Sequence, residues 1–404
     1  MAVAYDPKSP AVLANPYPVF RQLQIDDPVH WSELLGGWVL TRYADVQSFL
    51  RDLRFSSSRI APRMETLSDA ERGRIDSLGR ALSLWMVFTD PPDHTRLRML
   101  VHKAFTPQVI ARMRGRVEAI VEELLSQVEH RGEMDLIGDF SYPLPATVIA
   151  DMIGVPSENL EQLKQWSDDI AGFAANALST AAVRQRAQQS MAAMAAYFWE
   201  LMEVHRRAPS DNIMSRLIAV EEAGETLSED EIVGTCIFLL FAGHETTTNL
   251  IGNGVLAFLE HPEQWQVLRD NPSCVASAVE ECLRYDGPVM SMARVASEEI
   301  ELGGKRIRQG DRVFGMLNAA NRDPRQFPEP DRFDIRRQDN RHVAFGFGIH
   351  FCLGAPLARV EGQVALSALA RRFKRFELQT SELQWNESII LRGVKALPLS
   401  WVGS

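Results

Sequence analysis

Four cysteines in 404 residues are too few for a disulfide scaffold. Cys236, Cys274, Cys282 and Cys352 form no Cys-x-x-Cys pair and no zinc-ligand spacing, so the chain reads as reduced and cytoplasmic. Excess positive charge is also missing. The 43 Lys and Arg stand against 53 Asp and Glu, a formal net charge of −10, which argues against nucleic-acid binding. The start, Met1-Ala-Val-Ala-Tyr-Asp-Pro, has neither a basic region nor an apolar core of the secretory kind. The longest strongly apolar stretch, Cys236 to Ala242, is far too short to span a bilayer, and no membrane anchor is expected. No internal repeat, low-complexity segment or linker interrupts the chain. What is present is 46% hydrophobic content, enough for a large core, in a length that by itself suggests two or three domains.

Helical periodicity dominates the middle. Val29 to Trp31 and Trp38 to Tyr43 read as short strands around Gly36-Gly37, and Ala44 to Arg54 as a helix. Residues 55–92 read as irregular, with a short helix from Ser68. Thr106-Pro107 reads as an N-cap followed by proline at the first helical position. Ile110, Met113, Val117, Ile120, Val121, Leu124 and Val128 then recur at helical spacing. Further helical patterns cover about 143–153, 158–178, 184–207 and 212–222. Ser228 with Glu231 predicts a capping box, opening a helix that runs to His261-Pro262, roughly 50 Å at 1.5 Å per residue. Two helices follow over about 262–270 and 274–285. Beyond Tyr285 the texture turns to β, with a hairpin from Ala293 to Arg308 and strands at Val313–Leu317, Phe376–Leu378, Ile389–Leu391 and Leu397–Val402. The fold class is mainly α with a smaller β-rich region.

The most informative stretch is Phe345-Gly346-Phe347-Gly348-Ile349-His350-Phe351-Cys352-Leu353-Gly354. Its three glycines let a loop fold tightly around one cysteine. An apolar-periodic helix begins at about Ala355, with Pro356 in its first turn. A thiolate at a helix N-terminus is stabilised by unpaired N–H groups and the helix dipole, which suits a permanently deprotonated metal ligand. The string resembles the cysteine-ligand loop of the haem-thiolate monooxygenases, the cytochrome P450 family. That family's pattern is Phe-x-x-Gly-x-x-x-Cys-x-Gly, filled here by Phe345, Gly348, Cys352 and Gly354. The resemblance makes Cys352 the axial ligand of a haem b iron. It covers nearly the whole chain in the family's order, and so implies one haem domain over residues 1–404, with the haem between the long central helix and the cysteine-loop helix.

Other motifs fall where the resemblance requires them. Ala242-Gly243-His244-Glu245-Thr246-Thr247, inside the long helix, matches Ala/Gly-Gly-x-Asp/Glu-Thr. The implied roles are room for O2 beside Ala242 and Gly243, and proton delivery by Glu245 and Thr246, an acid–alcohol pair suited to a relay. His244-Glu245 also begins His-Glu-x-x-His, but the fifth position is Thr248, which excludes that zinc motif. Glu281-Cys282-Leu283-Arg284 matches Glu-x-x-Arg, whose members share a helix face. The resemblance adds a third cation, expected at Arg332, to a triad bracing the cysteine loop. It also makes His94, Arg98, Arg294 and His350 contacts of the haem propionates. Cys236 and Cys282 read as core packing.

The resemblance places Leu84, Val87, Phe238, Phe241, Ala242, Val289, Met290, Ile390 and Leu391 around a substrate pocket. None is charged, which points to an apolar substrate such as a terpenoid, steroid, fatty acid or polyketide. The apolar run Ser83 to Phe88 reads as a mobile lid. From His94 to Val117 there are six Lys and Arg and no acid, a basic patch where the resemblance places an acidic ferredoxin. The expected reaction is hydroxylation or epoxidation with O2, with electrons from NAD(P)H through a separate ferredoxin reductase and ferredoxin. The expected state is a cytoplasmic monomer of bacterial type. Two rivals are a peroxide-driven peroxygenase of the same fold and a haem sensor or electron carrier. The intact Glu245-Thr246 pair argues against both.

Overall fold

The structure is a computed structural model that describes residues 5–104, 107–174, 179–222 and 227–402. The chain divides into two compact units. One comprises Met1–Phe55, Arg112–Pro145 and Glu245–Ser404, the other Ser56–Ala111 and Ala146–His244.

In the first unit, Val29–Ser32 pairs antiparallel with Gly37–Leu40, which lies parallel to Arg312–Met316. Ser291–Ala296 continues the sheet antiparallel to Arg312–Met316. Inward-facing Val29, Leu40, Val313 and Ala296 pack on Val46, Phe49 and Leu50 of the Tyr43–Arg51 helix, the period-2 and period-3.6 faces meeting in one core. The expected 293–308 hairpin is narrower than the sequence pattern implied. Ile300–Leu302 pairs with Lys305–Ile307 across Gly303-Gly304, while the residues before it belong to the larger sheet. A three-stranded sheet joins Glu133–Asp135, Pro398–Val402 and Arg375–Leu378 in that order. The strand expected at Ile389–Leu391 does not form, and its only ladder contact is a bridge between Val289 and Leu391. The helices Pro107–Val128, Val275–Asp286 and Ala355–Arg372 match the periodic segments. The proposed cap at Thr106 lies outside the described residues.

In the second unit, Leu160–Ala174 and Ala181–Arg207 pack along one another. Residues 55–92 are more ordered than expected, holding helices at Ile60–Glu65, Asp69–Arg74 and Asp76–Ser83. The reasons are local. Ser68 and Glu71 form a reciprocal capping box. Arg63 lies 4.0 Å from the Phe173 ring and donates to the Phe173 carbonyl at 2.8 Å. The Gln188 side chain accepts the Leu78 N–H at 2.9 Å.

One helix, Glu229–Glu260, runs through 32 residues. Its capping box forms as the sequence predicts: Ser228 N–H donates to Glu231 Oε2 at 2.9 Å, and Glu231 N–H to Ser228 Oγ at 3.2 Å. Gly243 in this helix meets Ile149, and a Cβ placed there would lie 2.8 Å from the isoleucine side chain. The glycine is therefore a close-packing residue against the Pro143–Ile153 helix. Gly243→Ala gains about 1 kcal/mol of helix propensity and loses about 1–3 kcal/mol to overpacking. Thermal unfolding checks this: the midpoint falls for Gly243→Ala, and Ile149→Ala costs less in that background than in the wild type.

Candidate active site

The cysteine loop is closed by its own main chain. Gly346 N–H donates to the Val343 carbonyl at 2.8 Å, Phe351 N–H to Gly348 at 3.1 Å, and Cys352 N–H to Phe345 at 2.9 Å. Gly346 and Gly348 sit at φ +72° and +73°, the left-handed region that glycine adopts without strain. A Cβ on Gly348 would also come within 2.9 Å of the Leu50 carbonyl. Gly354 closes the loop, and the Ala355–Arg372 helix starts there with Pro356 in its first turn. Cys352, Phe345 and His350 are all half-buried. The other core cysteines are inert by contrast. Burial pushes the Cys236 thiol up to about 12 and raises Cys282 as well.

Behind the loop lies a buried ion pair. Arg284 Nε and Nη2 each reach a Glu281 oxygen at 2.8 Å, and both side chains are 0% exposed. The third cation is Arg337, whose Nε lies 3.2 Å from both Glu281 oxygens. The expectation of Arg332 is corrected for a clear reason. Its main-chain carbonyl faces the pair and accepts from Arg284 and Arg337, so its side chain turns outward to Glu329 and Asp334.

The long helix shows a stripe. Phe238, Phe241, Ala242, Glu245 and Thr246 keep partial exposure, whereas Leu239, Leu240, His244, Thr247 and Thr248 beside them are buried. The spacing i, i+3, i+4, i+7, i+8 is one helix face. His244 points off that face, its ring Nδ1 donating to the Leu240 carbonyl at 2.7 Å, and burial keeps it neutral. Among the described residues no cluster of three His, Cys, Asp or Glu could hold a metal ion.

Within the second unit the residues expected at a pocket gather on one that sequence reasoning had not singled out. Trp85 is 1% exposed and its ring lies 5.4 Å from Phe238 and 5.2 Å from Phe241. Leu84 packs at Gly234 on the same helix, and Val87 is half-buried in the turn Met86–Phe88. The aromatic density of residues 83–88 was the available signal. His94 is buried and Arg98 half-buried, one turn apart on the Asp93–Ala104 helix. Arg96, counted in the basic patch, is bound to Glu231 by two N–H donors.

Within the first unit Val289, Met290, Ile390 and Leu391 come together. Met290 N–H donates to the Ile390 carbonyl at 2.7 Å, and Val289 bridges Leu391. Arg392, also missed, holds this turn through Asp286 at 2.6 Å and by stacking 3.9 Å from the Trp385 ring. Arg294 is 2% exposed, gripped by the Phe49 and Phe55 carbonyls at 3.1 and 3.4 Å.

In the first unit a half-buried thiol at a helix start and the deeply placed Arg294 suit an iron porphyrin with its carboxylates. The second unit, taken by itself, holds the buried His94 and a helix face with a small residue at Ala242. A thiol so placed is the ligand type of a haem-thiolate oxygenase. The family model for Cytochrome P450 matches residues 39–271 and 273–395, and the chain belongs to that family. It is similar to the polyketide biosynthesis cytochrome P450 PksS of Bacillus subtilis, 38% identical over 96% of both chains. It is likewise similar to vitamin D(3) 25-hydroxylase of Pseudonocardia autotrophica, 39% identical over 96% of this chain and 94% of that one. Among solved structures, P450BioI in complex with an acyl carrier protein carrying hexadec-9Z-enoic acid superposes with TM-score 0.90 at 38% identity, covering 97% of this chain and 99% of that one. The protein is a bacterial-type cytochrome P450 monooxygenase acting on small molecules, and family membership brings haem b as its cofactor. Among the described residues no helix is long and apolar enough to cross a membrane.

Removing one partner of a buried ion pair costs about 3–5 kcal/mol, and trimming an exposed arginine costs about 0.5 kcal/mol or less. Arg337→Ala is expected to cut thermal stability and haem retention sharply, while Arg332→Ala stays near wild type. Matching losses in both would return the third position to Arg332.

Proposed function

We propose that this monooxygenase hydroxylates or epoxidises an apolar, medium-to-large molecule, a terpenoid, steroid, fatty acid or polyketide, with residues 1–404 acting as one haem domain. The observation that carries the reading is the half-exposed face of the long helix. Its upper part is Phe238, Phe241 and Ala242, and one turn on it presents Glu245 and Thr246, so an apolar wall leads to a single acid–alcohol pair. Relatives that serve polyketide biosynthesis or hydroxylate vitamin D(3), and one solved with an acyl carrier protein carrying hexadec-9Z-enoic acid, support a substrate of this class.

Haem bound there would supply O2 activation and insertion of one oxygen atom. Cys352 Sγ would hold the iron from the side of the cysteine loop. Arg98 and Arg294 would pair with the propionates, with His94 and His350 as further donors. Leu84, Val87, Val289, Met290, Ile390 and Leu391 would exclude water and orient the substrate by shape. Thr246 Oγ1 would pass protons inward, and the Glu245 carboxyl would resupply it, a role such pairs fill with gains of about 10²–10⁴ in rate. Electrons would come from NAD(P)H through a ferredoxin reductase and an acidic ferredoxin that docks near Arg112 and Arg116, on a cytoplasmic monomer.

Two measurements test this. The reduced protein with carbon monoxide is expected to show the long-wavelength Soret band of thiolate ligation, and a band of the histidine-ligated kind would refute Cys352 as ligand. In Thr246→Ala, NAD(P)H consumption continues while product per NAD(P)H falls roughly tenfold or more and hydrogen peroxide rises. Fully coupled turnover in that variant would remove Thr246 from the relay. A screen of apolar compounds for the type I spectral shift identifies the substrate.

A further inference from the structure

Glu280 and Glu281 are neighbours on the Val275–Asp286 helix, but a helix turns 100° per residue and the two carboxylates leave in different directions. Glu281 is spent on the buried triad. Glu280 faces the cysteine loop and its helix. It accepts Arg359 Nε at 2.7 Å, Arg359 Nη2 at 2.9 Å and His342 Nε2 at 3.1 Å. Ala344 N–H donates to His342 Nδ1 at 3.2 Å, which orients the ring with Nε2 toward Glu280. Burial by itself would raise the Glu280 carboxyl. The bonds from Arg359 and His342 outweigh it and hold the group at about 2, so Glu280 is an anion at any working pH.

Arg359 is thereby fixed in place. Its guanidinium lies 4.5 Å from the centre of the Phe345 ring, and the Phe345 carbonyl holds the Cys352 N–H at 2.9 Å. Hydrogen bonding to Glu280 raises Arg359 above its ordinary value, and the negative charge of Cys352 adds to this. A cation pinned by a bidentate bond therefore stands within electrostatic reach of the sulfur.

We propose that Arg359, oriented by Glu280 and His342, is a positioning residue that sets the charge beside the Cys352 thiolate and so tunes the one-electron reduction equilibrium of haem bound through it. The inference rests on Cys352 being the axial ligand. Reduction adds one negative charge to the iron centre. A nearby guanidinium favours the reduced form, and the Glu280 carboxylate partly offsets it.

The test is the ferric/ferrous midpoint potential of the haem-loaded protein in four variants, with the carbon monoxide band recorded for each. At fixed ambient potential, Arg359→Gln is expected to shift the equilibrium roughly threefold to tenfold toward ferric, and Glu280→Gln by a similar factor toward ferrous. The double variant returns to near wild type, and Arg359→Lys, which keeps the charge, stays within about twofold. A purely mechanical brace would move both single variants the same way, so shifts of like sign, or none, overturn the proposal. If Arg359→Gln does not retain haem, Glu280→Gln decides alone, since loss of the anion must favour the ferrous form. A histidine-type band in the wild type would instead overturn the ligand assignment before any variant is compared.

Discussion

The first unit depends on one buried ion pair. Glu281 and Arg284 are both fully enclosed, a placement whose desolvation cost exceeds the Coulombic gain unless every remaining donor and acceptor is satisfied. Here they are. Arg284 spends its donors on Glu281, on the carbonyls of Asn321 and Pro330 at 3.0 and 2.8 Å, and on that of Arg332 at 3.0 Å. Glu281 also takes the Asp334 N–H at 2.9 Å, Arg337, and the Asn340 amide at 3.1 Å. The result is that a stretch from 321 to 340, with no regular structure of its own, is tied through six of its residues to one helix turn. Cys352 inherits its position from that anchorage, because the loop that carries it begins where the tied stretch ends.

The same device recurs at other irregular segments of this unit. Arg322 lies between the Tyr17 and Tyr285 rings, 3.5 and 3.7 Å from their centres, and donates to the Tyr285 carbonyl. Arg392 spans Asp286 and the Leu13 and Ala14 carbonyls. A planar guanidinium with several fixed donors can hold multiple carbonyls while stacking on a ring, which a lysine cannot do. Turns without ladder hydrogen bonds are thus kept ordered by side chains. The turn at 388–393 is the clearest case: it forms no strand, yet the carbonyl of Arg392 accepts the Asn253 amide at 3.0 Å from the long helix.

The helices and the chemistry-bearing motifs were legible because their signals are local. Period-3.6 patterning, the Ser228/Glu231 box and the glycine spacing around Cys352 each lie within about a dozen residues. What escaped was set by contacts distant in sequence. Which arginine near residue 335 meets Glu281 depends on where an irregular chain turns, and Arg332 and Arg337 look alike in the sequence. Gly243 sits in a motif read for its chemistry, and its close approach to Ile149, far away in the chain, is a packing demand that the motif does not announce. Residues 55–92 carry weak propensities, and their helices are held by Gln188 and Phe173 from remote helices. Glu280 was passed over for a related reason: its meaning lies in His342 and Arg359, some sixty and eighty residues later.

This separation has a consequence for substrate choice. The polar residues that fix the chemistry belong to helices or to segments braced by buried charge, where a change of one partner is costly. The short turns proposed to face the substrate are held separately: 84–88 packs through Trp85 in the second unit, and 389–391 hangs from Arg392 in the first. Volume-conserving apolar exchanges at such positions usually cost less than about 1.5 kcal/mol. Sites that share no partner behave nearly additively, so Leu84, Val87, Ile390 and Leu391 can be reshaped without loosening the Glu281 anchorage. On the proposed function the brace and the loop would set the reaction and the turns would set the molecule. Apolar side chains select by shape, and shape depends on how 84–88 and 389–391 are held rather than on which apolar residues they contain. This is why the motifs identify the family readily and say little about the substrate.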